Sequence, residues 1–158
     1  MAVVAGKDYA FSPHLRTVLK GAGPSRACAL VTRRALYFIP YVSITGGGVT
    51  IVRTTVTIGG LPPADYIARL VADPQMTAEA LDATVAGQCS GIQGAIARPL
   101  DRFRRIKIRT GFFGRGVRLS ERPDGLWGNP LVDNFGWRPG KEELPSLAAF
   151  FAGDPRLV

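Results

Sequence analysis

Few side chains in this sequence could perform covalent or metal chemistry. The 158 residues include one histidine, His14, and two cysteines, Cys28 and Cys89. A structural zinc site needs four ligands, usually cysteine or histidine, so these three cannot supply one. The chain has no Gly-x-Ser-x-Gly or His-Glu-x-x-His motif. We therefore expect no metal, no cofactor and no enzymatic activity; a small enzyme of unrecognised type, using a Cys89–His14 dyad, is the minor alternative.

Basic residues concentrated in one segment are the strongest functional signal. The net charge is +8, and residues 98–122 contain nine basic side chains against two acidic ones, Asp101 and Glu121. Such a concentration favours phosphates, anionic lipid surfaces or acidic proteins as partners.

Alternating residues predict that this segment forms a β-hairpin with one basic face. Residues 104–110 alternate between basic and apolar side chains, residues 117–121 alternate again, and the glycine-rich stretch 111–116 predicts the turn. The predicted anion-binding residues are Arg102, Arg105, Lys107, Arg109, Arg115 and Arg118. Phe112 and Phe113, at the predicted tip, are expected to contact a membrane or a protein partner.

The chemistry of this hairpin selects among anionic partners. Single-stranded nucleic acid is bound by aromatic side chains interleaved with basic ones, whereas Arg105, Lys107 and Arg109 alternate with isoleucine. We therefore expect an anionic membrane surface or an acidic protein, and no nucleic acid.

In the alternative interpretation, the protein is an interaction or assembly subunit, as a homo-oligomer or in a larger complex. It would use region 35–64, in which Arg53 is the one charged residue, or a helical insertion, and an exposed apolar patch would favour it.

The elements that must position these residues are mostly strands. Residues 27–32, 35–42 and 49–58 are rich in β-branched and aromatic side chains, and a last strand is predicted at 131–137. Helices are predicted from Pro62, from a cap at Asp73-Pro74 or alternatively an N-cap at Thr77, and over 143–152. His14 is expected in a loop. The predicted core consists of Leu36, Phe38, Val52, Ile106, Ile108, Val117, Leu119, Phe135, Leu147 and Phe151.

The sequence also suggests where the protein resides. The first residues lack the features of a signal peptide, and no run of about 18 apolar residues is present. We expect a cytoplasmic protein, peripheral to the membrane if it binds lipid, with Cys28 and Cys89 as reduced, buried thiols.

Four stretches together resemble bacterial pleckstrin-homology-like domains. They are ALVTRRALYFIPY, RPLDRFRRIKIRTGFFGRGVRLS, DNFGWRP and EELPSLAAFFAG. The resemblance implies a single β-rich α+β domain over residues 1–158, with a bent antiparallel sheet or partly open barrel capped by a C-terminal helix. Residues 61–90 depart from the family pattern and are expected to be an inserted helical pair. The family's phosphoinositide-binding residues have no counterparts that can be matched position by position.

Overall fold

Antiparallel strands dominate the fold, which we describe from a computed structural model covering residues 2–19, 23–111, 114–121 and 134–158. Seven strands form one sheet in the order β6-β3-β2-β1-β9-β8-β7, and β4 pairs separately with β5. The strands are β1 (Tyr9–Leu19), β2 (Gly23–Thr32), β3 (Ala35–Pro40), β4 (Val42–Thr45), β5 (Val52–Thr55), β6 (Ile96–Pro99), β7 (Arg105–Gly111), β8 (Gly114–Ser120) and β9 (Asn134–Trp137). The helices are α1 (Pro63–Ala72), α2 (Ala78–Ser90) and α3 (Leu144–Phe151).

The seven-stranded sheet is strongly bent. Two strands, β2 and β1, lie between β3 and β9, so a flat sheet would hold β3 and β9 about 14 Å apart. Instead, the rings of Phe38 on β3 and Phe135 on β9 have centroids 6.1 Å apart, and Trp137 meets Phe38 edge-on at 5.5 Å. The sheet therefore curls around one core, with β6 and β7 as its two ends, which confirms the predicted bent, partly open architecture.

The C-terminal helix closes the concave side of this sheet. Leu147, Phe150 and Phe151 of α3 are buried against side chains from the strands. Eight of the predicted core residues are buried there, and Ile108 packs against them half-buried. These eight are Leu36, Phe38, Ile106, Val117, Leu119, Phe135, Leu147 and Phe151.

The inserted helical pair covers the convex side of β2 and β3. Ile67 of α1 and Leu81 and Val85 of α2 share a second apolar cluster with Tyr37 and Ile39 of β3. Thr77 caps α2 as predicted, because its hydroxyl accepts the backbone N–H of Ala80 at 3.1 Å. With both faces covered, β3 is apolar almost throughout rather than alternating.

A buried polar contact fixes α2 to the sheet. The Asp82 carboxylate accepts hydrogen bonds from the Thr32 hydroxyl at 2.6 Å and from the Tyr37 hydroxyl at 2.8 Å. These side chains are all buried, so each hydroxyl finds an acceptor for its proton within the protein.

The expected strand at 49–58 is wrong in extent and surroundings. Only Val52–Thr55 is a strand, and it pairs with β4 rather than with the main sheet. Val52, predicted as a core residue, is consequently 49% exposed. Only Val56 and Ile58, further along the chain, reach the second apolar cluster. We call the projecting unit of residues 42–55 the apolar arm.

Two other expectations need correction or restriction. His14 lies within β1 rather than in a loop, because pairing of β1 with β2 continues on both sides of the register shift between Ser12 and Leu15. The predicted last strand is present as β9, and its expected first residues, 131–133, lie outside the described residues. In the described part of the chain, no helix is long and apolar enough to cross a bilayer.

The residues after α3 attach to the start of β7. Arg156 forms an ion pair with Asp154 at 2.7 Å and donates from Nη1 to the carbonyls of Leu100 and Phe103. The backbone N–H of Val158 donates to the carbonyl of Ile106 at 2.9 Å. The start of β7 is therefore held by the C-terminal residues, and the hairpin that β7 forms with β8 carries the candidate site.

Candidate anion-binding site

The β7–β8 hairpin forms with the predicted alternation, but the predicted turn over 111–116 is too long. Gly111 pairs with Gly114, so Gly111 and residues 114–116 belong to the two strands. Lys107 lies directly opposite Arg118, and Arg109 lies opposite Gly116. Because side chains alternate across a strand, these cations project away from the core that Ile106 and Val117 enter. We call the face formed by Arg105, Lys107, Arg109 and Arg118 the outer basic face.

The charges on this face are incompletely neutralised by the protein. Arg109 and Arg118 are exposed, and Lys107 is half-buried. Among the residues that the structure describes, none of these three side chains takes part in an ion pair. Like charges directly across an antiparallel pair repel each other, so the Lys107–Arg118 pair would be stabilised by an external anion.

The six predicted anion-binding residues do not form one cluster. Arg115 pairs with Thr110, and this register puts both side chains on the core-facing side of the hairpin. Arg102 is exposed in the 3-10 turn Leu100–Arg102 that precedes β7. Phe112 and Phe113, the predicted tip contacts, lie outside the described residues.

A cavity beside Arg115 contains two basic residues that the sequence-based prediction missed. Its volume is about 680 Å³, and it lies between the end of the hairpin and the start of α3. The lining residues are Thr110, Gly111, Arg115, Arg138, Lys141, Leu144, Pro145 and Ala148. Arg138 and Lys141 flank the Pro-Gly turn after β9. This pair of basic residues, at a turn just before a helix, is the sequence feature that could have indicated them as site residues.

His14 contacts Tyr41. Its ring stacks on Tyr41 with centroids 6.0 Å apart, and its Nδ1 lies 3.3 Å from the Tyr41 hydroxyl. The same hydroxyl donates to the carbonyl of Pro13. His14 does not line the 680 Å³ cavity.

Both cysteines are free and buried. Burial raises the pKa of Cys28 to about 12 and that of Cys89 to about 11. Both thiols are therefore protonated near neutral pH, whereas a nucleophilic cysteine requires the thiolate. Within the residues described, no group of three or more histidine, cysteine, aspartate or glutamate side chains could hold a metal ion.

Comparison with known proteins leaves the resemblance to pleckstrin-homology-like domains as a prediction. No protein-family model, curated protein or solved structure gives a significant match to this chain.

Proposed function

We propose that this protein is a non-catalytic binding module whose outer basic face contacts an anionic membrane surface. The supporting observation is that Lys107 and Arg118 lie directly opposite each other, beside an exposed Arg109, without ion-pair partners in the described chain. A layer of lipid phosphates would neutralise all three at once, because the three side chains lie on one face of the hairpin.

The expected binding is weak and electrostatic. Each basic residue close to an anionic bilayer contributes about 1 kcal/mol. Three or four such residues give about 3–4 kcal/mol, which corresponds to dissociation constants of about a millimolar or weaker. The outer basic face would therefore direct the protein to a membrane, and stable attachment would need further contacts.

Co-sedimentation with vesicles tests the proposal. The variant combines Lys107→Ser, Arg109→Ser and Arg118→Ser, and the control combines Lys7→Ser, Arg26→Ser and Arg69→Ser. The control removes the same charge from exposed positions. We expect the wild type and the control to bind phosphatidylserine vesicles at low salt and to be released as salt increases, because mobile ions screen exposed charges. The outer-face variant should stay in solution.

The outcomes discriminate between partners. Equal loss of binding in the variant and the control would mean that net charge, not this face, is responsible. No sedimentation of the wild type at low salt would refute a membrane partner and leave an acidic protein as the anionic surface.

The apolar arm supports a second candidate function, that of an assembly subunit. Ile44, Ile51 and Val52 are about half exposed, and Val49 near the tip is fully exposed. Arg53 is the arm's one charged residue. Light scattering during size-exclusion chromatography tests this function: a concentration-dependent oligomer that Ile44→Ser with Ile51→Ser dissociates would favour self-assembly through the arm.

A further inference from the structure

The cavity lies where the core-facing side of the hairpin changes from apolar to polar. Moving along that side from the start of β7, the cross-strand pairs are Ile106 with Leu119, Ile108 with Val117, and Thr110 with Arg115. The first two pairs fill the core. The third lies beyond it and lines the cavity, so a guanidinium and a hydroxyl replace the apolar side chains at this end.

Helix α3 supplies an apolar wall of the same cavity. Leu144, Pro145 and Ala148 lie on its first two turns and line the cavity. Leu144 is buried, whereas Pro145 and Ala148 are exposed to the cavity opening. A ligand with an apolar part could therefore cover side chains that water now contacts, which is favourable.

Three cations contribute to the described polar lining, and the carboxylates of Glu142 and Glu143 lie at Gly140 outside that lining. Arg115, Arg138 and Lys141 line the cavity without an ion pair to any described residue. Glu143 accepts the backbone N–H of Gly140 at 2.8 Å, and the Glu142 carboxylate also lies against Gly140. Neither glutamate lines the cavity, so the charged side chains among its described lining residues are all basic.

We propose that this cavity binds a phosphate monoester carrying a short apolar group. Two guanidinium groups and an ammonium suit a phosphate dianion, since arginine can bind phosphate oxygens in pairs. The volume of about 680 Å³ falls within the range of about 300–1,000 Å³ found for small-molecule sites. It exceeds the space that a bare phosphate fills, and the α3 wall accounts for the remainder with an alkyl group. This site is on the opposite side of the hairpin from the outer basic face, so either can fail without the other.

Titration calorimetry with three soluble probes tests whether both halves of the cavity act together. The probes are octyl phosphate below its micelle concentration, inorganic phosphate, and octyl glucoside, which has the same chain without charge. We expect octyl phosphate to bind about tenfold or more tightly than either of the others. Equal affinity for inorganic phosphate would overturn the proposal, since the α3 wall would then contribute nothing.

Variants test whether octyl phosphate binds in this cavity or is merely attracted by the net positive charge of the protein. Arg138→Ser with Lys141→Ser should weaken octyl phosphate binding about tenfold or more, while Arg26→Ser with Arg69→Ser should leave it unchanged. Ala148→Trp keeps the net charge and fills the cavity, so it should also abolish binding. Its fold is checked by circular dichroism, and the serine variants test the proposal independently. If the Arg26/Arg69 control loses affinity equally, the site proposal is wrong.

A final experiment identifies the source of the phosphate ester. Vesicles of phosphatidate in phosphatidylcholine are added to the complex with octyl phosphate. Displacement by these vesicles, but not by phosphatidylcholine alone, would identify a membrane lipid as the ligand. Retention of octyl phosphate would identify a free phosphate ester, and both results require the calorimetric binding that supports the site.

Discussion

At the scale of single residues, the two buried thiols make the stability of the fold depend on pH. Their ordinary pKa is 9.0, and burial raises it to about 12 for Cys28 and about 11 for Cys89. Above pH 9 the unfolded chain therefore releases protons that the folded chain retains. Because stability falls with pH wherever the folded state binds more protons, both groups destabilise the fold as pH increases from about 9 toward 11–12.

This argument predicts a loss of stability in alkali that depends on the cysteines. Urea unfolding at a series of pH values should give a free energy of unfolding that is level through neutrality and decreases above about pH 9. In the double variant Cys28→Ala with Cys89→Ala, the free energy of unfolding should decrease less between pH 7 and alkaline pH than it does in the wild type. An unchanged slope in this variant would show that other groups, such as Tyr37 with its raised pKa, dominate.

At the scale of elements, the alternation of side chains predicts where strands form better than it predicts what packs against them. The hairpin of β7 and β8 and the cap of α2 were predicted from local patterns, because turn residues and capping side chains act within a few positions. Val52 was placed in the core wrongly, since a β-branched stretch looks the same in a projecting arm as in a central strand. What covers a strand is decided by distant residues, and no local pattern contains them.

The element-scale prediction compares two identical substitutions. Val117 is 2% exposed on β8 and Val52 is 49% exposed on β5. Val117→Ala should lower the free energy of unfolding by about 2 kcal/mol, from lost burial and the cavity left behind. Val52→Ala should change it by less than about 0.5 kcal/mol. Similar losses for both variants in urea unfolding would contradict the separation of the apolar arm from the core.

At the scale of the whole molecule, the two sides of the hairpin have different surroundings. The bend that brings Phe38 to Phe135 also places α3 beneath the end of β7 and β8, where it forms a wall of the cavity. The residue pattern predicted the closing helix and the family resemblance implied the bent sheet, but Arg115 was grouped with the anion-binding residues that lie on the other side of the hairpin. The contribution of Arg138 and Lys141 depends on how the chain after β9 returns toward the hairpin, which no spacing in the sequence reveals.

The two-sided covering of β2 and β3 has a consequence for hydrogen exchange. Their amides are paired in the sheet and enclosed by the clusters under α3 and under α1 and α2. Deuterium should therefore reach them only through global unfolding, whereas the arm's amides should exchange through local opening. Within one molecule, the slowest amides would then measure the free energy of the entire fold, and the fastest would report when the arm becomes engaged by a partner.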